Sequence, residues 1–306
     1  MSRNASYRLA SAVVASALVC AGHAAAEPPL GHDSEAQVFQ LDASARFTVA
    51  HAPFFTEAFP VLDAHGVSFT LDARYRLSPG WSLGARLPLT ALSVRQPAGS
   101  YLDEAAWGNP TLSVTRSIEA ALLGRRGLAA WLAAEVGVPL AEYGPADALL
   151  ENRALEAANA AEAYLSPESY LPATLPFVVR SGGRFADAPW SAEAELAVPL
   201  LVRLGDADLP AAARAHRLGF WPSVQLTGAF QATRWLRASL GANAAVAAAR
   251  VFEPWHEVSR WQASLRAGLT FRPSQRLELG LTFLAPVAGA LGGEVYSGGM
   301  TLEVQR

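Results

Sequence analysis

Histidine, serine and acidic side chains are where catalysis or metal binding would have to reside in this chain. The six histidines are His23, His32, His51, His65, His216 and His256. A nucleophilic serine needs a histidine on its own face, oriented by a third polar group. His65 and Ser68 come nearest, but they differ in parity, so an extended chain points them to opposite sides. His32-Asp33-Ser34 precedes the first regular segment and cannot join a wall-mounted site. His51, Asp63 and His65 flank one loop, yet their spacing matches no zinc pattern, and loop histidines are ordinarily just solvated. Gly289-Ala290-Leu291-Gly292-Gly293 follows a strand pattern with no helix behind it, so a phosphate-cradling loop fails on context. The expectation is no catalytic residue, no metal site and no cofactor.

Charge is the remaining chemistry, and its spacing is informative. All 24 basic residues are arginine. Within alternating segments, one parity collects Asp42 and Arg46, then Asp72, Arg74, Arg76 and Arg86, then Glu135. The same parity collects Arg180, Arg184, Glu193 and Glu195, and later Arg237, Arg266, Arg272, Glu278 and Glu303. A charge-lined pathway that selects solutes is the functional reading. The plainer one is mixed-sign pairs that brace a lumen, because enclosed polar groups must bond one another or water. An anion pathway would call for a one-sided arginine ladder, and nine arginines against seven acids is no such ladder.

The elements that carry these charges are strands. In 41–49 every odd position is apolar and every even one polar or small, and 65–77 repeats the pattern. Such alternation marks β-strands with one apolar and one polar face. Ten further segments follow: 81–89, 108–116, 128–140, 174–185, 190–202, 218–230, 234–247, 260–272, 276–286 and 294–305. Most are long enough for a tilted membrane-spanning strand of ~9–11 residues. Short connections alternate with the long ones at 51–64, 90–107, 141–173, 203–217, 248–259 and 287–293. An even strand count with short turns on one side is the plan of an outer-membrane barrel, with both termini in the periplasm. A short helix is expected over 145–162, inside the longest loop. A soluble barrel or sandwich would bury the apolar face instead. The fold class expected is therefore all-β: a transmembrane antiparallel up-and-down barrel of about twelve strands. Such a barrel closes to a backbone diameter of ~24 Å, leaving at most a narrow channel.

Composition and the N-terminus agree. The chain has 306 residues, a net charge of −3 and only 17% charged residues, against ~25% in ordinary soluble domains. It lacks the basic face that nucleic acid requires. The single Cys20 excludes a disulfide scaffold and cysteine-based zinc sites. Arg3 and Arg8, the uncharged run 9–21 and Ala24-Ala25-Ala26 have the layout of a cleaved secretory signal. Val19 is a poor fit to a lipoprotein box before Cys20. The expected organisation is a signal over 1–26, a short periplasmic segment over 27–36 and one barrel over 37–306. The partners expected are outer-membrane lipids, the export and barrel-assembly machinery, and a small solute whose identity the sequence does not give.

Three short runs carry a resemblance: Arg86-Leu87-Pro88-Leu89, the run Trp107-Gly108-Asn109-Pro110-Thr111-Leu112-Ser113-Val114, and Glu135-Val136-Gly137-Val138-Pro139-Leu140. In that order they resemble Gram-negative outer-membrane transporters of the phenol-degradation meta-pathway type. The resemblance covers the third to fifth strands and implies passage of small, aromatic or apolar solutes. One departure is the C-terminus, Val304-Gln305-Arg306, where outer-membrane barrels usually end in an aromatic residue.

Turn positions also predict register. A turn centred at Pro79 sets Asp72 against Arg86, and an index sum near 375 in the 174–202 hairpin sets Arg180 against Glu195. Both pairs are expected within salt-bridge reach, ~4 Å.

Overall fold

The structure is a computed structural model that describes residues 39–51, 63–95, 101–118, 127–141, 166–204, 216–250, 260–274, 276–289 and 295–305. The signal, the 27–36 segment and the helix expected over 145–162 lie outside the described residues.

The first half of the chain contributes β1 (Phe39–His51), β2 (Asp63–Ser78), β3 (Trp81–Arg95), β4 (Tyr101–Trp107), β5 (Thr111–Ile118), β6 (Leu128–Gly137) and β7 (Thr174–Asp187). The second half contributes β8 (Trp190–Arg203), β9 (Leu218–Phe220), β10 (Ser223–Thr233), β11 (Leu236–Val246), β12 (Trp261–Ser274), β13 (Leu277–Gly289) and β14 (Val295–Gln305). Each pairs antiparallel with its neighbours, and β4 with β5, like β9 with β10, share one position in the wall. The result is a closed barrel of twelve staves. Closure is completed by β1 against β14, from Gln40–Gln305 to Ala50–Val295. Every stave is paired on both sides along at least part of its length, as a membrane, which penalises open sheet edges, requires.

The two interrupted staves have a local cause. Pro110 and Pro222 have no N–H to offer the ladder, so regular pairing stops beside them. The wall is stitched across each break: Gly108 N–H donates to the Pro88 carbonyl at 3.0 Å, and Trp221 N–H to the Pro199 carbonyl at 3.2 Å. Beyond the break Val138 N–H reaches the Pro110 carbonyl at 2.7 Å and Val246 N–H the Pro222 carbonyl at 2.9 Å. This corrects the expectation of a long loop over 90–107. β3 runs on to Arg95 and β4 pairs with it from Leu89–Trp107 to Arg95–Tyr101, so the connection is only 96–100. The weak alternation of 101–107 hid that strand.

Burial is inverted relative to a soluble protein. Leu240, Leu281, Leu265 and Met300 lie open on the outer surface, while Ser68, Thr90, Ser223, Asn243 and Gln262 are buried. An apolar exterior and a polar interior are the signature of a barrel solvated by lipid. Near the short turns Trp190 packs on Phe230 at 4.7 Å between ring centres and Trp235 on Phe271 at 5.4 Å. The Arg116 guanidinium lies 5.1 Å over the Trp81 ring. Amphipathic rings of this kind suit a membrane–water boundary.

Register is as expected in the first hairpin, where Asp72 faces Arg86. The turn closes through Gly80 at φ +73°, where an added Cβ would come within 2.6 Å of the Ser117 carbonyl oxygen. The second hairpin corrects its expectation. Asp187 pairs with Trp190, so the turn is two residues, and Arg180 stands opposite Ala197 while Glu195 stands opposite Gly182. The offset is two residues, which preserves which face each side chain takes.

Candidate functional site: the charged lumen

Arg180 organises the most buried cluster of charge among the described residues. It follows the outward-facing Phe177 and Val179 along β7, and alternation carries its side chain inward. Its Nε donates to Glu135 Oε1 of β6 at 3.0 Å and its Nη1 to Glu195 Oε1 of β8 at 3.1 Å. Its Nη2 donates to Glu168 Oε1. One fork therefore holds three carboxylates, and the expected Arg180–Glu195 contact forms along a diagonal and not directly across the pair. Among the described residues the second oxygens of Glu135 and Glu168 accept no hydrogen bond.

Glu168 belongs to a strap, residues 166–173, that folds into the barrel. Pro167–Ser169 is a single 3-10 turn, closed by Ser169 N–H on the Ser166 carbonyl at 3.0 Å. Glu168 and Tyr170 are fully buried. That burial pushes the Glu168 carboxyl upward from its ordinary range, and the Arg180 guanidinium pulls it back down. Asn109, in the break between β4 and β5, holds the strap. Its Nδ2 donates to the carbonyls of Glu168 at 3.0 Å and Leu171 at 2.8 Å. Its N–H meets the Ser169 carbonyl at 2.6 Å, and its Oδ1 accepts from Ala141 N–H at 2.8 Å. Gly108 is required beside it, because a Cβ there would collide with the Ser169 carbonyl and the Pro88 ring. The run Trp107-Gly108-Asn109-Pro110 is thus a stave break shaped to receive the strap.

The other expected lumen residues take several roles. Arg86 Nε donates to Asp72 Oδ1 at 2.7 Å, the pair predicted from turn geometry. Gln40 Nε2 ties Asp42 Oδ2 at 3.0 Å to Glu303 Oε1 at 3.1 Å, across β1 and β14. Glu278 accepts from Arg272, near the short-turn end. Arg237 Nη2 donates to Ser191 Oγ at 3.0 Å, and Glu193 stands opposite Arg184 in the β7–β8 pairing. Arg74 stands opposite Gln40. Arg46 donates to Ser297 Oγ at 3.5 Å. The structure therefore splits the sixteen charges: Glu135, Arg180 and Glu195 are brought together, and Asp72 joins Arg86.

Beside the strap a cavity of about 220 Å³ crosses the lumen. Ser44, Arg46, Thr70, Asp72 and Arg86 line it from β1, β2 and β3. Gln225, Arg266 and Leu284 face them from β10, β12 and β13, and Ser166 and Ser169 of the strap complete it. Sequence reasoning missed Glu168, Ser169 and Asn109 as site residues. Glu168 and Ser169 lie in a long connection with no period to read, and only Asn109-Pro110 inside a strand pattern hinted at a break.

No family model and no curated protein matches the chain. Solved structures do. An outer membrane channel from Pseudomonas putida F1 superposes with a TM-score of 0.61 at 10% identity, covering 92% of this chain and 100% of that one. The NanC porin gives 0.49 at 5% identity over 87% and 98% of the two chains. The transport unit of the autotransporter AIDA-I from Escherichia coli gives 0.48 at 9% identity over 90% and 93%. The similarity to the first agrees with the architecture described above: this chain has the fold of an outer-membrane β-barrel.

Proposed function

We propose that the protein is a passive conduit for small solutes, aromatic ones included, and not an enzyme. The observation that carries this reading is the polar cavity that passes between opposite walls of the barrel beside the strap. Polar lining residues solvate a moving solute, whereas an apolar filling would serve only to seal. The signal-like N-terminus and the barrel fold support a place in the outer membrane of a Gram-negative cell, reached through the export and barrel-assembly machinery, with lipids around the wall. The short turns then face the periplasm and the strap lies toward the outside.

A second reading has its own support. The strap sits inside the wall with Glu168 and Tyr170 fully buried, as a plug would. A plugged barrel would act through its long loops and transport nothing. Single-channel recording in planar bilayers, with solute uptake into liposomes, separates the two. Discrete openings and uptake support the conduit; a silent bilayer together with impermeable liposomes supports the plug.

A further inference from the structure

Arg180 faces more negative charge than one guanidinium neutralises. Glu135 of β6, Glu168 of the strap and Glu195 of β8 all bond it. Arg86 of β3 also acts on Glu168, but it is itself bonded to Asp72 of β2. Two of the carboxylates share one side of the Arg180 fork, where Glu135 Oε1 takes Nε and Glu168 Oε1 takes Nη2. Parallel N–H groups of this kind ordinarily hold both oxygens of a single carboxylate. Here they hold one oxygen from each of two. The second oxygens, Glu135 Oε2 and Glu168 Oε2, are buried and accept no hydrogen bond among the described residues. Glu168 is fully buried, and Glu135 keeps only 10% of its side chain exposed.

Two carboxylates crowded into one dry site do not both stay ionised, and one of them holds a proton. We propose that Glu135 and Glu168 share a proton while the strap is docked, and that its loss as the medium turns alkaline releases 166–173 from the wall. With one carboxyl neutral, Arg180 faces two charges and one of the bare oxygens becomes a hydroxyl. With both ionised, three charges crowd one guanidinium and burial works against docking. Burial lifts the Glu168 carboxyl above its ordinary range, outweighing the downward pull of Arg180, and the Glu135 charge adds to the rise. A released strap returns the group to its ordinary value, ~4.3. Because the docked value lies above the free one, docking is strongest in acid and is lost as pH rises through the docked value. The strap's other ties do not titrate: Asn109 Nδ2 donates to the Glu168 and Leu171 carbonyls, and Ala173 N–H to the Ala141 carbonyl at 2.9 Å. Arg46 and Arg266 line the cavity beside Ser166 and Ser169, and arginines stay charged throughout. Release would widen the conduit proposed above; that consequence rests on the conduit reading, whereas the docking itself does not.

The test follows amide hydrogen exchange of the full chain folded in detergent. Mass spectrometry reads peptides covering 166–173, with rates corrected for the intrinsic effect of pH. Between about pH 5 and about pH 9 exchange of this segment is expected to quicken about tenfold or more, while β12 stays unchanged. Glu168→Gln keeps an acceptor for Arg180 and removes the titrating group, so its strap is expected to stay protected across the range. A wild-type strap that ignores pH, or that loosens in acid instead, would overturn the proposal. So would loosening shared with β12, or a Glu168→Gln strap that still responds. Should Glu168→Gln fail to fold, as judged by heat-dependent gel migration, Glu135→Gln takes its place and is expected to flatten the same response. Bilayer recordings keep the latch separate from the conduit. A strap released at alkaline pH in a barrel that never conducts sinks the conduit and leaves the latch. Openings in a barrel whose strap exchange ignores pH sink the latch and leave the conduit.

Discussion

Two arginines of the same lumen illustrate how burial sets the value of a charge. Arg86 and Asp72 form a direct bridge at 2.7 Å, but their side chains keep 30% and 34% of their surface exposed. Water can replace either partner, so Arg86→Ala is expected to cost ~0–1 kcal/mol. Arg180 is only 8% exposed and faces three carboxylates, one of them wholly buried. Removing it strands those acids, and a loss of about 3–5 kcal/mol is expected. Urea unfolding of both variants in lipid vesicles checks the contrast, and equal midpoints would refute it. Glu195→Ala leaves Glu135 and Glu168 still bonded to Arg180, so it is expected to fold and to change conductance only.

At the scale of elements, the break between β4 and β5 does more than interrupt a strand. Asn109 spends its N–H, both ends of its amide and its full burial on the strap and on Ala141. Leaving buried carbonyls unpaired costs ~1–3 kcal/mol. Asn109→Ala is therefore expected to loosen 166–173 without opening the wall, because Gly108 and Val138 still bond Pro88 and Pro110 through the main chain. Single-channel conductance should rise, and protease should cut the strap faster than in the parent protein. An unchanged conductance would show that the strap does not bound the pathway. Gly108→Val tests the same contact from the steric side, since its side chain would push directly against Ser169.

For the whole molecule the governing fact is the inverted exterior. Leu71 on β2 and Leu279 on β13 point outward at 38% and 41% exposure, while Ser68 points inward at 4%. An arginine on the lipid face costs ~2–4 kcal/mol near the bilayer midplane. Leu71→Arg and Leu279→Arg are thus expected to impair membrane assembly, and Ser68→Arg to be tolerated better because the lumen is polar. Yield of the heat-shiftable folded form on gels reads this out, and similar yields for the three would show that the faces do not differ as stated.

The period of two was enough to give the architecture, because in a strand parity alone decides which side of the wall a residue takes. It also gave the inward placement of Asp72, Arg86, Glu135, Arg180 and Glu195, and a two-residue error in the second hairpin left those faces intact. Turn position alone determines the Asp72–Arg86 bridge, because it fixes the register of the hairpin. What parity cannot encode is which inward charges meet across the barrel, since that depends on closure and on segments without a period. Glu168 joins Arg180 only because a strap folds back through the lumen, and the strap is held by an asparagine far away in the chain. The nearly equal count of acids and arginines was legible in the sequence. The gathering of three carboxylates on Arg180 was decided by tertiary structure, because pairing is a property of distance and not of composition.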